Sequence, residues 1–83
     1  MQSDPSSYEA NYKYLLTKYN RATINKKEMA VELGIVLSTL NLYMQRGYGT
    51  PRYKKLGNKP NSRVVFILVD VAAFLSSGLI ETL

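Results

Sequence analysis

Between Asn25 and Gly47 the chain holds two helix-length segments, each closed by a glycine, with the small residue Ala30 four positions ahead of the first glycine. This punctuation constrains the fold more than any other feature. Asn25 can cap the free amides of a helix start, and Glu28, three residues on, can return the hydrogen bond. A short helix is expected from Lys26 to Leu33, ended by Gly34, whose backbone turns left-handed at no steric cost. Ile35-Val36-Leu37 is too short for more than a turn. Ser38 is a second capping residue, and a helix is expected from about Thr39 to Arg46, stopped by Gly47. Counted from Lys26, Ala30 is the fifth residue and Gly34 the ninth, with Met29, Leu33, Ile35, Leu40 and Tyr43 apolar between and beyond them. Ala30 permits close crossing, Gly34 the sharp turn, and the apolar set fills the angle. Two helices so joined make a helix-turn-helix over residues 25–47.

The flanking segments fit around this pair. Asp4 as a cap, Pro5 in the first turn and the stripe Tyr8, Tyr12, Leu15, Leu16 and Tyr19 predict an amphipathic helix over residues 5–20. Residues 20–24 read as a connection. Arg52 to Leu56 and Ser62 to Val69, around the turn-forming Gly57-Asn58-Lys59-Pro60-Asn61, predict a two-stranded hairpin over residues 52–67 with a basic tip. Asp70 is a capping residue for a last helix over residues 70–77 with Val71, Phe74 and Leu75 on one face, ended by Gly78. Leu79, Ile80 and Leu83 form an apolar tail. The fold class is mainly α with a small β-hairpin, in one domain spanning residues 1–83.

Eighty-three residues without cysteine or histidine allow no disulfide, no Cys/His metal site, no thiol catalysis and no imidazole acid/base chemistry. The six carboxylates show no paired spacing, and Asp4, Glu28 and Asp70 have helix-start roles. No glycine-rich phosphate loop precedes a helix. Neither an enzymatic activity nor a cofactor or metal is therefore expected. The longest apolar run, Val64 to Val69, is far below the ~18–20 residues that span a bilayer, and Asp4-Pro5 argues against a signal peptide. The expectation is a cytoplasmic protein without a membrane partner. The formal net charge is +5, but residues 35–63 carry six basic side chains and no carboxylate. Such a stretch attracts polyanions.

From Ile24 to about Ser77 the chain resembles the winged helix-turn-helix domains of the phage excisionase and AlpA-type regulators, distant relatives of the MerR DNA-binding domains. The resemblance rests on Lys27-Glu28-Met29-Ala30 with Leu33-Gly34-Ile35, on Ser38-Thr39-Leu40 with Tyr43 and Gly47, on Pro51 to Leu56, and on Asp70-Val71-Ala72-Ala73-Phe74-Leu75. It implies a winged fold, to which the helix expected over residues 5–20 is an extra N-terminal element. It also implies a double-stranded DNA partner, with the second helix of the pair in the major groove and the hairpin wing on phosphates or the minor groove. A role in transcription regulation or in excisionase-like recombination follows, as in a phage or mobile element. The chain departs from that family at Leu37 and Leu42, where basic residues are frequent, and at Arg46, where an acid is common.

The outward candidates for base contact are Ser38, Thr39, Asn41, Leu42 and Gln45. Asn and Gln pair with adenine and apolar groups with the thymine methyl, so A·T-rich half-sites are expected. Lys26, Lys27, Arg46, Arg52, Lys54, Lys55, Lys59 and Arg63 are the candidates for phosphate contact. One such unit covers a single half-site, which points to a homodimer or side-by-side copies. An alternative is a protein-interaction adaptor on the same scaffold, with Leu37, Leu42 and nearby tyrosines docking on a recombinase or polymerase subunit.

Overall fold

The computed structural model describes residues 6–59 and 62–77. Among them are four helices and a small three-stranded sheet: α1 (Ser6–Tyr19), β1 (Thr23–Ile24), α2 (Lys26–Leu33), α3 (Leu37–Arg46), β2 (Lys54–Lys55), β3 (Val64–Ile67) and α4 (Leu68–Ser76). The expected roles of Asp4, Pro5, Pro60, Asn61, Gly78 and the apolar tail fall outside the described residues.

Local chemistry sets the helix pair. Asn25 accepts from the Glu28 amide at 2.8 Å, and the Glu28 carboxylate accepts from the Asn25 amide at 2.9 Å, so both halves of the capping box are present. Gly34 closes α2 at φ 71, its amide reaching back to Ala30 and Val31, and Gly47 closes α3 at φ 88. One expected boundary moves. α3 begins at Leu37, not behind Ser38, and its cap Val36 makes no side-chain hydrogen bond. The turn after Gly34 delivers the chain at Val36 already extended, so the backbone carbonyl of Val36 starts the helix by accepting from Thr39 and Leu40 at 3.1 Å. No polar side chain is needed there.

The sheet differs from expectation. Thr23 and Ile24 are not a simple connection: they pair antiparallel with Ile67 and Phe66, and Leu68 donates to the Ala22 carbonyl at 2.9 Å. On the other side Lys54 pairs with Val65 and Lys55 with Val64, giving the order β1-β3-β2. β3 is thus the central strand of three, not one arm of an isolated hairpin. Its alternation sends Val64 and Phe66 inward and leaves Ile67 exposed. Arg52 lies before β2 rather than in it, and the β-rich run ends at Ile67 because Leu68 and Val69 already belong to α4. Asp70 therefore sits in the first turn of α4 instead of capping it; the cap is Ile67, without a side-chain hydrogen bond.

The core draws on every helix and on two of the three strands: Leu15 from α1, Ile24 from β1, Met29 and Ala30 from α2, Leu40 from α3, Val64 and Phe66 from β3, and Leu68, Val71 and Ala72 from α4. Each large aliphatic or aromatic side chain so buried contributes about 1.5–3 kcal/mol. Tyr8, Tyr12, Tyr19, Leu33, Ile35, Leu37, Met44 and Leu75 pack partly buried around it. Leu16 does not join the α1 stripe and is exposed, since it follows the fully buried Leu15 and turns away by one helical step. α4 makes its most extensive packing with α1. Asn11 also donates to Ser76 Oγ across that contact at 2.9 Å.

α1 is bound to α2 by polar contacts as well. The Glu32 side chain, 5% exposed, accepts from Lys18 Nζ at 2.7 Å, from Tyr14 Oη at 3.1 Å and from Tyr19 Oη. Burial would push the Glu32 carboxyl up, but its hydrogen bonds from Lys18, Tyr19 and Tyr14 outweigh that and hold it below the usual carboxylate value. Burial and the hydrogen bond to Glu32 push the Tyr19 hydroxyl up to about 12. The Glu32 hydrogen bond, then Tyr14, raises the Lys18 ammonium above its ordinary value.

Candidate nucleic-acid interface

α2, α3 and the β2–β3 hairpin enclose an open concavity of about 830 Å³. Asn25, Lys26 and Lys27 reach it from the start of α2, and Leu37, Asn41, Met44 and Gln45 from one side of α3. Tyr53, Lys55, Ser62, Arg63 and Val64 close it from the hairpin. Periodicity explains the membership. Leu37, Asn41, Met44 and Gln45 are spaced by four, three and one, which puts them on one side of the helix. Leu37 and Met44 form its apolar floor, packed against the core. Lys55 lies opposite Val64 in the ladder, and Tyr53, just ahead of β2, is two residues before Lys55, so both face the concavity. Tyr53 rests on Phe66, with ring centroids 5.7 Å apart.

Four of the eight cations proposed from sequence line this surface: Lys26, Lys27, Lys55 and Arg63. No carboxylate is among the lining residues. Glu28, the acid nearest in sequence, is turned to Arg21, with which it forms an ion pair, and that pairing holds its carboxyl below the usual value. The field inside the concavity is therefore one-signed.

The remaining four cations lie elsewhere. Arg46 is stacked between Tyr43 and Tyr48, with ring centroids 4.1 and 4.0 Å from its guanidinium carbon, and its Nε donates to the Tyr48 carbonyl at 3.2 Å. This sandwich seals the corner after α3, and Arg46 does not line the concavity. Arg52 lines a smaller depression with Met44, Thr50, Pro51 and Tyr53 and approaches Asp70 at 3.6 Å, so the supposed capping acid serves as its counter-ion. Lys54 pairs with Val65 on the outward side of β2. Lys59 stands at the exposed hairpin tip, its amide donating to Ser62 Oγ at 2.9 Å.

Of the residues proposed for base contact, Asn41 and Gln45 line the concavity, and Ser38 and Leu42 continue the same exposed side of α3. Thr39 is half-buried and shares the opposite side with Arg46. Leu37 is partly buried against the core, whereas Leu42 is 57% exposed. The two leucines thus part ways. Sequence reading missed Tyr53, Ser62 and Asn25 as lining residues; the two-residue step from Tyr53 to Lys55 was the available sign. It also missed the Arg46 sandwich, which the flanking tyrosines at positions 43 and 48 foreshadow.

Among the described residues no helix is long and apolar enough to cross a membrane. No known family matches the chain, and neither curated proteins nor solved structures yield a match.

Proposed function

We propose that this protein binds double-stranded DNA through the concavity, as a winged helix-turn-helix module in which α3 enters the major groove and the β2–β3 hairpin acts as the wing. The observation that carries the reading is the convergence of Lys26, Lys27, Lys55 and Arg63 with Asn41 and Gln45 on one surface free of carboxylates. Cations at the rim suit phosphates, and amides between them suit base edges. A role as a transcriptional regulator or a recombination factor agrees with this chemistry, and no catalytic function is proposed. Two copies, as a dimer or side by side, would supply the surface that one half-site lacks.

The test is fluorescence anisotropy of a labelled random duplex over a salt series. With Arg46 stacked, Arg52 facing Asp70, Lys54 turned outward and Lys59 at the tip, four of the eight cations remain in the concavity, so log K should fall with log salt at a slope of about −3 to −4. A flat dependence removes the reading. Leu42, 57% exposed beside the concavity, favours one competitor, a protein-interaction adaptor. That competitor predicts no duplex binding at low salt, and retention of a recombinase or polymerase subunit that Leu42→Ser abolishes.

A further inference from the structure

Lys26 Nζ donates to Asn41 Oδ1 at 3.0 Å, joining the first turn of α2 to the middle of α3 inside the concavity. An ammonium has donors and no acceptor, so the Asn41 atom that faces it is the carbonyl oxygen. That contact fixes the amide. The groups left for a ligand are the two N–H of Asn41 Nδ2, two N–H of Lys26 and one remaining lone pair on Oδ1, so donors outnumber acceptors four to one. An asparagine that reads adenine must offer Oδ1 to the N6 amino group and Nδ2 to N7. Here an adenine amino group would have to share Oδ1 with the Lys26 ammonium, one donor crowded beside another. Guanine presents O6 and N7, two acceptors, on its major-groove edge.

From this contact we infer that Lys26 is a specificity-determining residue: by holding Oδ1 it turns Asn41 from an adenine reader into part of a guanine-reading donor pair. The inference rests on the DNA-binding reading above and replaces the A·T expectation at this one position. Gln45, one turn along α3, makes no side-chain hydrogen bond among the described residues and keeps both its donor and its acceptor. Adenine remains its partner, and it serves as the internal control.

Selection from randomised duplexes tests this. Asn41→Ala locates the base position that Asn41 reads, as the one whose preference disappears. Wild type should return guanine there. Lys26→Met, of similar length and without a donor, should lower the guanine-to-adenine ratio at that position about tenfold, the size of one good base contact. Lys26→Arg should retain it, and the position lost in Gln45→Ala should not change. Adenine at the Asn41 position in wild type, or an unchanged ratio in Lys26→Met, overturns the inference and leaves duplex binding standing. Uniform weakening of all sequences by both Lys26→Met and Asn41→Ala places the pair on phosphates and overturns it as well. Absence of any duplex binding overturns the DNA-binding reading, and this inference with it.

Discussion

Gly34 and Gly49 look alike in sequence, yet their surroundings differ. Both have positive φ, 71° and 96°. A Cβ at Gly34 would meet no atom within 4 Å, whereas one at Gly49 would lie 2.9 Å from Arg46 Nη2 and 3.3 Å from Tyr43 Cδ2. Gly34→Ala therefore carries only the left-handed backbone cost, about 1 kcal/mol. Gly49→Ala adds a shift of Arg46 Nη2 against its two tyrosines, where a cation over a ring is worth about 0.5–1 kcal/mol at exposed sites, and a tight contact with the Tyr43 ring, and should cost about 2 kcal/mol in all. Urea denaturation of the two variants checks the difference; equal losses would mean that the sandwich contributes nothing. Residues with a purely local role were legible from sequence. Asn25, Glu28, Gly34 and Gly47 act on amides within a turn of themselves, so spacing reveals them. Asp70 was misread because its partner, Arg52, comes from a distant stretch of chain before β2.

At the scale of elements, boundaries were legible where a side chain makes them and illegible where tertiary pairing does. β1 is two residues long and owes its existence to β3, more than forty residues downstream, so no local pattern around Thr23 announces it. The starts of α3 and α4 are set by backbone delivered extended at Val36 and Ile67, without a capping side chain. The contact between α1 and α2 was also out of reach, because Lys18, Tyr14, Tyr19 and Glu32 converge only after folding. It makes stability depend on pH in both directions. The Glu32 carboxyl is held below its unfolded value, so its contribution is present above about pH 4.5 and fades as acid protonates it in the native state. Tyr19 is raised from 10.0 to about 12, so its contribution is complete below pH 10 and declines as the pH climbs from 10 toward 12. Denaturation midpoints should accordingly form a plateau at neutral pH that drops on both flanks. Tyr19→Phe should make the alkaline flank shallower and leave the part that comes from Lys18. Glu32→Ala, which strands the Tyr19 hydroxyl, should cost about 2 kcal/mol at neutral pH.

Over the whole molecule, the carboxylate-free segment of residues 35–63 does not become one uniform cationic face. Folding divides it: Lys55 and Arg63 turn into the concavity and meet Lys26 and Lys27 from α2, while Lys54 faces outward, Arg46 is stacked and Arg52 is paired. On the proposed reading, Lys55→Ala with Arg63→Ala should make the salt slope of duplex binding shallower by about 2, since each neutralised phosphate contributes about 0.9. Arg52→Ala should leave the slope unchanged; titrations of the two variants beside wild type separate these outcomes. Charge counting alone treats all eight cations as equals; the strand register, the aromatic stack and the Arg52–Asp70 pair distinguish them.

β3 passes into α4 without an intervening loop, Ile67 ending one and Leu68 starting the other, and α4 lies along α1. The inner arm of the hairpin is therefore continuous with the helix that packs on α1. On the proposed reading, a duplex that pushes β3 aside must also disturb the seam between α1 and α4.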